Sequence, residues 1–276
     1  MEVEGWAARL VLHFGRAGEK TVFRHVRHSG PLQVQRPFYP EGSSVCHVYV
    51  LHPPGGVVGG DSLEISVLAV GGSHALITTP AAGKYYRSSG AYATVRQEIS
   101  VKSGATLEWL PQEAIFYNGA RLRASTRIEL EENARFVGWE VVCLGLPASG
   151  HGFEHGDCRQ GFEVWRCGEP LLLEVGRFIG GSEPLTAHWG MAGRTVAGCL
   201  VSTVRDSEIT DRIRERVSAE LEDGEIFTAT MVSDLLVCRY LGRHGYRAMR
   251  LFASAWDILR PCLCSRVACA PRIWRT

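Results

Sequence analysis

A mainly β fold follows from three features of this sequence. Short β-branched and aromatic runs recur, with turn residues about every ten to fifteen positions. Paired glycines (Gly55-Gly56, Gly59-Gly60, Gly71-Gly72, Gly180-Gly181) punctuate them, and helical period is confined to two late segments. The strand-like runs cover residues 21–23, 45–50, 63–67, 75–79, 94–101, 126–130, 136–143, 162–165, 171–175 and 196–204, within a β region that starts near Ala7. No long 3.6-period pattern interrupts them.

The two helices come next. Asp206 and Ser207 supply capping side chains before Ile209, Ile213, Val217 and Leu221, which share one face at i+4 spacing, and Gly224 stops the pattern. A helix over about 207–222 is expected. The second segment places Met249, Phe252, Ala253, Trp256 and Leu259 on one face ahead of Pro261, so a helix over about 246–260 ends at that proline. Neither a fixed-period repeat nor a low-complexity linker divides the chain, and residues 1–276 are expected to form one domain.

Composition sets further bounds. Thirty Lys and Arg against 29 Asp and Glu leave a formal charge of +1 in 276 residues, without the basic excess that binds phosphate backbones, so nucleic acid is not an expected partner. Hydrophobic residues at 45% and charged residues at 21% describe a folding globular chain. No apolar stretch approaches the roughly 18 residues of a membrane span. The acidic start, Met1-Glu2-Val3-Glu4, lacks the basic character of a signal peptide, so a cytoplasmic location is expected. Nine cysteines are an odd number and lack both a disulfide framework and a paired zinc spacing.

Several motifs carry possible chemistry. Gly60-Asp61-Ser62-Leu63 spells the block of a family of serine esterases, in which Ser62 would need a His base and an Asp to orient it. No Asp here is followed three residues later by His, and the β-rich pattern does not suit that fold. The glycine-rich stretch 53–61 lacks the Gly-Lys-Ser/Thr ending of a phosphate loop and reads as a tight strand connection. His151 and His155 lie among Gly150, Gly152 and Gly156, which indicates a loop in place of a metal-binding helix. Cys262, Cys264 and Cys269 depart from the usual zinc spacings.

Acidic residues in apolar surroundings are more informative. Glu140 stands within Phe136-Val137-Gly138-Trp139-Glu140-Val141-Val142-Cys143, and Glu174 follows Leu171-Leu172-Leu173. A buried carboxylate is tolerated with an Arg partner, with a hydrogen-bond network, or in an internal wet passage. An ion pair with Arg177 or Arg135 and a functional carboxylate both remain open. Asp61, held on a rigid turn, is well placed to meet a cation.

Seven blocks in fixed order resemble the UreD type of urease accessory protein, called UreH in some organisms. They include residues 30–42 (GPLQVQRPFYPEG), Cys46-His47-Val48-Tyr49, residues 51–61 (LHPPGGVVGGD), residues 76–88 (LITTPAAGKYYRS), residues 107–113 (LEWLPQE) and Pro271-Arg272-Ile273-Trp274, and the sequence departs from the pattern after Gly145. The family carries Arg where Leu146 stands, so the segment holding His151 and His155 departs from its pattern. The resemblance implies a non-enzymatic scaffold that assembles with F-type and G-type accessory proteins and with the urease apoprotein. It also implies a β-rich, helix-like stack of sheets with two late helices. No tightly bound cofactor is implied, only nickel in transit through an interior passage, which would give Asp61, Glu140 and Glu174 a reason to be ionised inside a β core. Weak, successive oxygen sites suit a carrier path better than a thiolate cage.

Overall fold

The computed structural model describes residues 5–275, so the acidic start at residues 1–4 lies outside the described residues. The strands form two sheets, and the chain alternates between them. β1 (Ala7–Ala17) folds back on β2 (Lys20–Ser29) in the first sheet, and β3 (Gln33–Val34) and β4 (Val45–Leu51) begin the second. From there β5 (Ser62–Ala69), β8 (Ala93–Val101), β11 (Arg121–Leu130) and β13 (Asp157–Arg166) stack in parallel on β1. The alternate strands β6 (His74–Thr78), β9 (Thr106–Trp109) and β12 (Arg135–Leu144) stack in parallel on β4. Two short strands, β7 (Gly83–Tyr85) and β10 (Ala114–Phe116), fill the corner beside β12. This is a β-solenoid, each coil contributing one strand to each sheet.

The coils are held in register by side chains of matching phase. Leu12, Val67, Ile99, Ile128, Val164 and Leu172 form one continuous buried ladder across the first sheet, ending on β14 (Glu169–Ile179), which closes that sheet as an antiparallel edge. Each such side chain contributes about 1.5 to 3 kcal/mol relative to exposure. A one-residue slip would turn the whole ladder outward.

The second sheet is apolar on both faces, which is why 136–144 reads as an almost unbroken hydrophobic run. Phe136, Val142 and Leu144 face the first sheet, and Val137, Trp139, Val141 and Cys143 face the helices. Beyond a single helical turn, α1 (Glu183–Thr186), the sheet is extended by β15 (Val196–Ser202) and by the hairpin of β16 (Ile226–Val232) and β17 (Leu235–Gly242). That hairpin lies between the two expected helices and was not anticipated from periodicity.

Both late helices are present, with different ends. α2 (Ser207–Ser218) starts where Asp206 accepts hydrogen bonds from the amides of Glu208 and Ile209, but it stops short of 222. The reason is Arg247, which binds the Glu220 carbonyl and the Glu225 carboxylate and draws that segment off the helical path. α3 (Gly245–Cys264) runs through Pro261 and ends at Ser265, whose φ is 57°. Pro261 removes one helical hydrogen bond. The turn holds nevertheless, because Arg260 is locked to two carboxylates and Leu263 is buried. Phe252, Trp256 and Leu259 pack on the second sheet, joined by Ala248 and Leu251, while Met249 is only partly buried.

Candidate functional site

The space between the sheets is not uniformly apolar. One phase along from the apolar ladder, the register runs Leu10, Ile65, Gln97, Thr126, Phe162 and Glu174, and the next brings in Gln160 beside Ala124. Glu140 faces these residues from β12 by the same alternation that turns Val142 and Leu144 inward. Its two oxygens meet the Thr126 hydroxyl and the Gln160 amide, and the Thr126 hydroxyl also lies 2.9 Å from Gln97 Oε1. The Gln160 Oε1 atom is buried without a hydrogen-bond partner.

Among the described residues no lysine or arginine pairs with Glu140. Burial pushes its carboxyl up to about 7, partly offset by the hydrogen bonds from Thr126 and Gln160 and reinforced by the charge of Glu174. Glu140 therefore holds its proton more firmly than an ordinary glutamate and can release it when a cation arrives.

Three cavities adjoin here. A cavity of about 530 Å³ opens between β14 and β16 and is lined by Glu140, Gln160, Glu174 and Arg239. Glu140 and Gln160 also line the next, of about 120 Å³, together with Thr126 and Gln97. Gln97, Tyr85 and Thr79 are shared in turn with a third, of about 220 Å³, whose far wall is His52 and the turn at Gly55, Gly56 and Val57.

The three residues singled out in the sequence are thus placed differently. Glu140 and Glu174 line one cavity. Glu174 pairs with Arg239 (Nε to Oε1, 2.9 Å), not with Arg177 or Arg135, and Arg177 instead approaches Asp157 at 3.4 Å. Asp61 lines none of these cavities. It is 6% exposed and accepts hydrogen bonds from the amides of Trp6 (2.8 Å) and Val58 (2.9 Å), so it ties the glycine-rich turn to the start of β1. Gly60, with φ of 97°, lets the chain enter that turn. Asp61 remains near the third cavity, because its charge opposes the lowering that burial imposes on His52. Gln97, Thr126 and Gln160 escaped the sequence reading, although each is a polar residue in the otherwise apolar inward phase of its strand.

The remaining motifs serve the fold. Ser62 opens β5, with its amide bonded to the Trp6 carbonyl, and among the described residues no histidine is hydrogen-bonded to its hydroxyl; the hydrolase reading has no support. His151 bridges Leu146 and His155 bonds Asn118 through the backbone, both in a loop. Cys262 is exposed, whereas burial pushes the Cys264 thiol up to about 11. Cys264 does approach His74 and Glu108, but Glu108 is held by Arg260, by Trp256 Nε1 at 2.7 Å and by His74 at 2.7 Å. That cluster is an ion-pair network beneath α3.

Fold and interior together define a β-solenoid protein whose two sheets enclose ionisable and amide oxygens. The family model of the UreD urease accessory protein matches residues 7–275. The chain is 45% identical to the urease accessory protein UreD of Dechloromonas aromatica, over 98% of this chain and 95% of that protein. It is 43% identical to the Citrobacter koseri protein of the same name, over 99% and 92%, and 42% identical to that of Klebsiella aerogenes, over 99% and 98%. The chain belongs to the UreD family of urease accessory proteins. Among the described residues no helix is long and apolar enough to cross a membrane.

Proposed function

We propose that this chain is a non-enzymatic urease maturation scaffold of the cytoplasm. It assembles with F-type and G-type accessory proteins and with apo-urease, and passes nickel toward the urease active site through its polar interior. The observation that carries this reading is the position of Glu140, a carboxyl that no lysine or arginine among the described residues pairs with, at the junction of two cavities. A dication entering there displaces a proton from Glu140 and finds the unpartnered Gln160 Oε1 beside it. Oxygen donors of this kind bind a divalent ion weakly enough to release it. Glu174, partly balanced by Arg239, forms the outer station. Asp61 acts from the far end, through its charge near His52 and by fixing the turn that walls the third cavity. The test is co-expression of Glu140→Ala and Glu174→Ala with the partners and urease, with pull-down of the complex and elemental analysis of nickel per active site. The complex should persist while nickel falls. Full nickel loading in both variants would refute the passage.

A further inference from the structure

On the outer face of the first sheet, at the end away from the wide cavity, β1 and β2 place His13 directly opposite His25. The two half-buried imidazoles have ring centres 5.3 Å apart. They lie in a cleft of about 370 Å³ that also takes in His28, Arg9 and Arg27. A register shift follows His13, a β-bulge of the kind that re-aims a side chain at a sheet edge. Among the described residues neither imidazole has a hydrogen-bond partner, and the polar interior does not use them.

We propose that His13 and His25 form a chelating site for a divalent transition-metal ion of the nickel, copper and zinc class. The geometry is that of a cross-strand pair. An ion about 2.1 Å from one nitrogen of each ring stands about 3.2 Å from each ring centre, so ligand angles from octahedral to tetrahedral put the centres about 4.5 to 5.2 Å apart. The observed 5.3 Å lies just above that range, within reach of a small side-chain adjustment. Imidazole donors select this class of ion over magnesium or calcium, which prefer oxygen. The two arginines oppose a dication only weakly. Arg9 is exposed with its guanidinium 3.7 Å from Glu64, and exposed charges are screened by solvent. The site is separate from the cavities of the interior and does not depend on the passage reading.

The experiment is calorimetric titration of the tag-free, full-length protein with Ni²⁺ in excess Mg²⁺, alongside His13→Ala, His25→Ala and Glu140→Ala. Circular dichroism confirms that each variant folds, as expected for half-exposed side chains. Either histidine substitution should weaken one class of Ni²⁺ binding by at least about tenfold, the loss of one chelating ligand. Glu140→Ala should leave that class unchanged. Unaltered Ni²⁺ affinity in the His13→Ala, His25→Ala double variant would overturn the site, as would equal competition by Mg²⁺. Inorganic phosphate binding that the double variant abolishes, with no metal effect, would also overturn it by making the cleft an anion site.

Discussion

Glu140 and Glu108 are both carboxylates set into strands of the second sheet, and they end in opposite electrostatic states. Glu108 points to the outer face, fully buried under α3, where His74, Trp256 and Arg260 converge on it and hold its carboxyl below the ordinary range against the penalty of burial. Glu140 points inward, where only Thr126 and Gln160 touch it, and burial pushes it up to about 7. The partner supplied by the facing element, not the strand itself, decides whether a buried carboxylate is a rivet or a proton-exchanging ligand.

The largest expected effect comes from removing the rivet. Arg260→Met leaves Glu108 and Glu41 buried without their guanidinium and should cost about 3 to 5 kcal/mol in urea denaturation. Asp61→Ala comes next, since the amides of Trp6 and Val58 lose their acceptors; a loss of about 1 to 3 kcal/mol is expected by the same measurement. This means that alanine at 61 perturbs the fold along with any effect on nickel, so Asp61→Asn, which keeps one acceptor oxygen, is the cleaner probe.

The pH dependence should run in opposite directions for the two regions. In the fold Glu140 keeps its proton to about pH 7, whereas an unfolded glutamate releases it near the ordinary value of 4.5. Between those values the native state binds more protons, so this group makes stability fall as pH rises from about 4.5 to 7, after which its effect is constant. Glu140→Gln should therefore stabilise the protein at pH 8 by about 1 to 3 kcal/mol, with the gain fading as pH falls from about 7 and gone by about pH 4.5. Glu41, bound to Arg260 and His47, is held down near 2, so its contribution is present above pH 4.5 and is lost as pH falls toward 2. Chemical denaturation across pH 3 to 8 separates the two. The smallest effect is that of Ser62→Ala, which should change neither stability nor urease activation, and no ester-cleaving activity should depend on that hydroxyl.

The legibility of the two regions in the sequence differs for a related reason. Strand positions followed from local residue chemistry, and nearly every apolar run became a strand. The β16–β17 hairpin escaped because the two helical patterns around it dominated the reading. α3 outran Pro261 because its last turn is fixed by Glu41 and Glu108, more than 150 residues away in sequence, and no local signal carries such a contact. Glu140 was visible as an acid in an apolar run, but Glu108, in Leu107-Glu108-Trp109, was not singled out. The clue to Gln97, Thr126 and Gln160 was one of phase. Each shares parity with buried neighbours such as Ile99, Ile128 and Phe162, yet parity distinguishes inward from outward only once the strand register is known.

The central claim is that the interior carboxylate serves nickel and the outer one serves the fold. Its most direct test is the amount of nickel per urease active site, divided by the amount of accessory complex recovered, for Glu140→Gln and Glu108→Gln in parallel. Glu140→Gln should give a full yield of complex with a clear fall in nickel per complex. Glu108→Gln should lose complex and nickel together, leaving the ratio unchanged. An unchanged ratio in Glu140→Gln, or a fall in the ratio confined to Glu108→Gln, would contradict the account.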